Sequence, residues 1–141
     1  MNDHPDVALF AKADGLHLGQ ADMPLDKARL MLGGDKIIGV SCHNLRQALK
    51  AQKEGADYIA IGPLYNTATK PEYKPVGLKV LKRLKGRIKI PCFAIGNVNR
   101  ENIGKIVSLG IKRVAVCRGI LNSGNIKAAA GELLSALPKK I

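Results

Sequence analysis

Short apolar runs rich in β-branched residues recur along this chain at a nearly constant interval, and that interval limits what the chain can become. The runs cover residues 16–19, 37–40, 58–61, 93–95 and 114–116. Measured from Leu16, Ile37, Tyr58, Phe93 and Val114, the successive spacings are 21, 21, 35 and 21 residues. A strand, a turn and a helix that returns to start a parallel neighbour need about that length. Amphipathic patterns of helical period fill the intervals, at 25–32, 45–53, 76–84, 102–109 and 126–137. Ala13-Asp14-Gly15 and Gly55-Ala56-Asp57 read as one repeated helix-to-strand hinge, with Leu109-Gly110-Ile111 as a weaker third copy. The expected fold class is α/β: a parallel β/α repeat of about five units in a single domain, residues 1–141. A complete eight-stranded β/α barrel usually takes about 250 residues and rarely fewer than about 200. With 141 residues, the chain is expected to form a partial barrel.

Composition removes several function classes. With 46% hydrophobic and 24% charged residues the chain is globular rather than disordered. No apolar run approaches the roughly 20 residues that span a bilayer, and Met1 to Asp6 lacks a basic region followed by an apolar one. Membrane insertion and secretion are not expected; the cytoplasm is. Cys42, Cys92 and Cys117 are odd in number and far apart, so they are expected to be reduced, buried thiols. The net charge of +12 favours anionic partners without choosing among nucleic acid, a phosphorylated metabolite and an acidic surface. Its densest segment, residues 79–89, has apolar residues at helical spacing and reads as a solvated helix face. The five aromatics are too scattered for a base-stacking platform, so nucleic acid is not expected as a partner.

The one irregular interval points to a site. The 35-residue spacing places residues 62–75 after the third strand, at its C-terminal end. Ligands of parallel β/α proteins bind at that end. Thr67, Thr69 and Lys70 there suit phosphate or diphosphate, while a proline-pinned surface loop is the plainer alternative. Asp3 and Asp22 fall at equivalent strand ends and can hold Mg²⁺, or cap helices. Ser41 ends a third strand and can equally cap the next helix. His17 and His43 have no triad partner and read as hydrogen-bonded structural residues rather than general bases. Gly96 and Gly119 end the last two strands, where backbone N–H groups often hold phosphate.

Taken together, Asn2-Asp3, His17-Leu-Gly-Gln-x-Asp22-Met-Pro24, Ile38-Gly-Val-Ser41-x-His43, Gly62-Pro-x-x-x-Thr67-x-Thr69-Lys70, Ala94-Ile-Gly96 and Val114-Ala-Val116 resemble the thiamine-phosphate synthase family in order and distance. The resemblance runs through essentially the whole chain. It implies a TIM barrel enzyme, a transferase of thiamine biosynthesis, that joins an aminopyrimidine methyl diphosphate to a thiazole phosphate with Mg²⁺ and releases diphosphate. It further implies Asp3 and Asp22 as Mg²⁺ ligands, and Asn2, Ser41 and Lys70 as the grip on the pyrimidine diphosphate, with Lys70 and Ser41 in catalytic roles. Thr67-Ala68-Thr69 would contact the thiazole phosphate, and Gly96-Asn97 with Cys117-Arg118 would offer N–H groups to its phosphate. Relative to that family the first three β/α units are missing, with the Gln-x-Arg-x-Lys segment that grips diphosphate, so the chain is expected to be N-terminally truncated. Where the family has Ala-Ile-Gly-Gly this chain has Asn97, a residue that tolerates left-handed backbone. A non-catalytic barrel remnant, a thiazole tautomerase-like protein and a basic nucleic-acid binder are the alternative readings. A partial barrel leaves sheet edges and one sheet face open, which implies a homo-oligomer.

Overall fold

The computed structural model of the protein describes residues 1–139. Five strands, β1 (Gly15–Leu18), β2 (Ile37–Cys42), β3 (Tyr58–Ile61), β4 (Cys92–Ile95) and β5 (Arg113–Ala115), form one parallel sheet in the order β1-β2-β3-β4-β5. Seven helices accompany them: α1 (Pro5–Phe10), α2 (Leu25–Leu32), α3 (Leu45–Lys53), α4 (Lys79–Leu84), α5 (Ile103–Ser108), α6 (Arg118–Leu121) and α7 (Ile126–Ser135). Strand neighbours in sequence are neighbours in space, so every crossover moves one step in the same direction. This is the winding of a barrel segment rather than of a doubly wound sheet.

Successive strand residues point to opposite faces. On one face Leu16, Leu18, Ile38, Cys42, Ile59, Ile61 and Ala94 are 0–3% exposed and join the core. The helices close over them with small residues at the contact: Ala8, Ala28, Ala48 and Ala51 are buried, which lets helix backbones approach the sheet. Larger residues of α4 and α5, Leu81 and Ile106, fill the remaining space. The other face carries His17, Gly39, Tyr58 and Phe93, with Ile37 54% and Ile95 40% exposed.

Beside β1, Asn2 forms a parallel bridge to His17. The His17 amide donates to Met1 O and the Asp3 amide donates to His17 O, both at 2.9 Å. The first three residues thus act as a strand stub that brings Asn2 and Asp3 to the same end of the sheet as the other strand termini.

The hinge repeat is real, and its turning residue precedes the expected phrase in the first copy. Lys12 has φ 51° where Gly55 has φ 88°. Asp57 in the second copy accepts from the Ile38 amide at 2.7 Å and from Arg29 Nη2 at 2.6 Å, pinning α2 to the starts of β2 and β3. The partly exposed ion pair contributes modestly to stability; its value is positional.

Several expectations change. α4 starts at Lys79, not residue 76, because the Val76 amide donates to Pro63 O at 2.8 Å and Gly77 has φ 69°. The basic segment 79–89 is helical only to Leu84. Beyond it Gln52 Oε1 captures the Lys89 and Ile90 amides and draws the chain toward β4. The short helices α1 and α6 lack the length for a readable period. Of the three thiols, Cys42 is buried, Cys92 intermediate and Cys117 exposed. Cys117 departs from expectation because it lies past the end of β5, outside the alternation that buries strand residues.

Candidate functional site

All the strand C-termini open into one cleft of about 360 Å³. Asn2, Asp3, Ser41, Thr67, Thr69, Lys70, Gly96, Asn97, Cys117 and Arg118 line it, so ten of the residues singled out from sequence meet there. His17, Gln20, His43 and Tyr73 line it as well. Ala68 is exposed and outside the lining. Asp22 is not among the residues lining the cleft; its Oδ2 accepts at 2.6 Å from the amide of Gly19, which does line it, so one carboxylate oxygen is fixed and the other left available. Asp3 adopts φ 62°, a turn that ends the strand stub at the cleft.

Across the cleft floor His17 joins two hydroxyls. Its Nδ1 is 2.9 Å from Tyr58 Oη and its Nε2 is 2.9 Å from Ser41 Oγ. Burial is the main influence on this imidazole and holds its pKa below the usual 6.5. Asp3 and Asp22 act in the opposite direction, and Lys70 adds to the lowering. Burial likewise raises the Tyr58 phenol above its usual 10.0, so both rings are neutral near pH 7. Ser41 does not cap α3; Asn44 does, accepting from the Gln47 amide at 2.9 Å. The Ser41 carbonyl receives Gln20 Nε2 at 2.6 Å. Among the cysteines, burial pushes Cys42 up to about 12 and Cys92 up to about 11.

The long loop after β3 folds back over β2. Tyr73 stacks on His43 with centroids 5.1 Å apart, and Lys70 Nζ lies 5.8 Å from the Tyr73 ring centroid. His43 Nδ1 is 2.6 Å from Gly62 O, so this nitrogen carries the proton and donates. Within the loop the Thr69 amide donates to Thr67 Oγ1 at 3.3 Å. These contacts place two hydroxyls and an ammonium over the cleft.

At the opposite wall Gly96 has φ 103° and Asn97 φ 53°, so Asn97 does keep the left-handed backbone. Asn102 Nδ2 holds Asn97 O at 2.9 Å, and Asn102 Oδ1 accepts from the Asn99 amide at 2.9 Å. A Cβ on Gly119 would fall 2.6 Å from Val98 O, a measure of how closely the 96–98 and 117–119 loops abut. Residues 96–98 and 117–119 line the cleft together, a polar wall that includes Asn97 and Arg118.

Sequence reading missed Tyr58, taken only as a strand marker, and Tyr73. Their roles depend on cross-strand register and loop path; the one available signal was a glycine, Gly39, inside a strand run, which marks a close approach. Among the described residues no cluster of three or more His, Cys, Asp or Glu is positioned to hold a metal by itself. A divalent ion here would need oxygens from a ligand alongside Asp3 and Asp22.

A family model described as thiamine monophosphate synthase matches residues 1–120. Thiamine-phosphate synthase of Clostridium acetobutylicum is 45% identical over 139 residues, 99% of this chain and 66% of that protein. Its counterpart in Shouchella clausii is 43% identical over 97% of this chain and 66% of its own length. The chain therefore spans just under two thirds of these relatives. The solved thiamine phosphate pyrophosphorylase from Pyrococcus furiosus superposes with a TM-score of 0.85 at 34% identity, covering 96% of this chain and 64% of that one. A 3-hexulose-6-phosphate synthase shares the fold alone, with a TM-score of 0.66 at 20% identity.

Substituting Gly96 tests the polar wall. An added Cβ would lie 2.4 Å from Pro63 Cα on a left-handed backbone. Gly96→Ala is expected to cost at least about 2 kcal/mol in urea denaturation; an unchanged midpoint would show that the loop is not held as described.

Proposed function

The chain belongs to the thiamine monophosphate synthase family, and from that premise we propose that its cleft couples an aminopyrimidine methyl diphosphate to a thiazole phosphate, giving thiamine phosphate and diphosphate. The observation that carries this reading is the gathering of hydroxyls, an ammonium, a carboxylate and the 96–98 and 117–119 loops in one cleft at the strand ends. Hydroxyl, ammonium and backbone N–H donors suit two phosphorylated substrates, and the carboxylate suits a divalent ion that accompanies them.

The bond from the pyrimidine methylene carbon to the diphosphate oxygen breaks, and the thiazole nitrogen supplies the electron pair for the new carbon–nitrogen bond. No proton is removed in that step, so the protein's work is charge neutralisation and alignment. Lys70 faces the departing diphosphate, and Asn2 and Ser41 hold it. Thr67 and Thr69 orient the thiazole phosphate, whose phosphate meets the amides of Gly96-Asn97 and Cys117-Arg118. Asp3 and Asp22 suit Mg²⁺, a hard cation that takes one or two carboxylates plus substrate phosphates. When bound it would neutralise charge on the diphosphate. The Gly19 amide on Asp22 keeps one carboxylate oxygen oriented for that task. We place the reaction in the cytoplasm, where thiols such as Cys42, Cys92 and Cys117 stay reduced.

Calorimetry tests the assignment. Wild-type protein is expected to bind the pyrimidine diphosphate only with Mg²⁺ present, and Asp22→Ala to weaken that binding by about tenfold or more. Binding of neither substrate in Mg²⁺ would overturn it.

We also propose that two copies of the chain associate. Apolar side chains remain exposed on both flanks, Phe10 at 92% and Leu30 at 86% on one and Leu121 at 62% and Leu134 at 71% on the other. Parallel sheets are seldom left uncovered. Light scattering is expected to give a dimer mass; a monodisperse monomer would contradict this.

A further inference from the structure

The three residues His17, Gly39 and Tyr58 sit side by side on β1, β2 and β3, paired in register. Gly39 has no side chain, and the Tyr58 ring occupies the vacant space: a Cβ on Gly39 would fall 2.0 Å from Tyr58 Cζ. Phe93 meets the other edge of that ring at 5.4 Å and 72°. The phenol is thereby carried across a whole strand to His17 Nδ1, and the far nitrogen of the same imidazole reaches Ser41 Oγ. Nothing in the coupling chemistry requires Tyr58, which lies outside the cleft lining.

We propose that Tyr58 is a positioning residue that acts through His17 on Ser41: its phenolic O–H donates to His17 Nδ1, His17 Nε2–H donates to Ser41 Oγ, and the Ser41 proton is left to point at an anionic oxygen in the cleft. A neutral imidazole donates through one nitrogen and accepts through the other, so only two arrangements satisfy both contacts. In the reverse arrangement the Ser41 O–H donates to His17 Nε2 and only lone pairs face the cleft, which repels phosphate oxygens. A phenol is a far stronger donor and a weaker acceptor than an aliphatic hydroxyl. The Tyr58 end therefore sets the direction of the whole chain of hydrogen bonds. The fold spends a glycine on β2 to bring that donor to β1.

The role of Ser41 toward a diphosphate rests on the function proposed above, whereas the hydrogen-bond direction does not, and the two are tested separately. In ¹⁵N NMR of the full chain at pH 8 without ligand, His17 is expected as the Nε2–H tautomer. Tyr58→Phe keeps the ring over Gly39 and is expected to raise the Nδ1–H population. A wild-type Nδ1–H tautomer, or a tautomer ratio indifferent to Tyr58→Phe, would overturn the proposal. In Mg²⁺-dependent binding of the pyrimidine diphosphate, Tyr58→Phe and Ser41→Ala are each expected to lose about tenfold in affinity, with little further loss in the double variant. Multiplying losses would show that Tyr58 does not act through Ser41. Absence of wild-type binding would remove the diphosphate reading and leave the tautomer result to decide the relay.

Discussion

The in-order parallel pairing of β1 through β5 is the constraint on which the rest depends. Parallel strands joined by helices must all end on the same side, and sequential order makes the sheet curve one way instead of reversing in its middle. Residues far apart in sequence, from Asn2 to Arg118, therefore share one rim. The strict alternation of strand faces then assigns each residue a task. Leu16, Ile38 and Ile59 hold the helices on, while the intervening His17, Gly39 and Tyr58 build the floor beneath the cleft.

That division explains why so few side chains in the cleft are held by their own element. Ser41 is oriented by His17 from β1 and its carbonyl by Gln20. The loop after β3 is fastened to β2 through Tyr73 on His43, and its own base to the end of β4 through the Leu64 amide on Ile95 O. Each strand end is steadied by its neighbour. Small helix residues contribute at a distance, because buried Ala28 and Ala48 let α2 and α3 sit close enough to keep the strands in register.

Much of this was legible in the sequence. The spacing of apolar runs located all five strands to within a residue or two, and α2 and α3 were bounded correctly, because a buried face with one period leaves a clear imprint. The 14-residue excess after β3 marked the loop that covers the cleft. What escaped was whatever depends on register or on a single backbone angle. Tyr58 reaches His17 only because Gly39 lies opposite both. Lys12, just before the expected hinge phrase, makes the turn that Gly55 makes in the second copy, Gly77 delays α4, and Gln52 pulls residues 89–90 off any helical path. Cys117 looked like a strand thiol and stands just beyond the strand, in the cleft.

The charge of +12 is spread over helix surfaces such as α4 and concentrated in function at only a few points, Lys70 and Arg118 among them. Mapping backbone amide shifts while titrating the two phosphorylated substrates in Mg²⁺ tests the central claim, that the strand-end cleft is where they bind. The account predicts shifts at residues 96–98 and 117–119 with the thiazole phosphate, and at residues 2–3, 19–22 and 41 with the pyrimidine diphosphate. Shifts confined to the helical outer surface, or none at all, would contradict it.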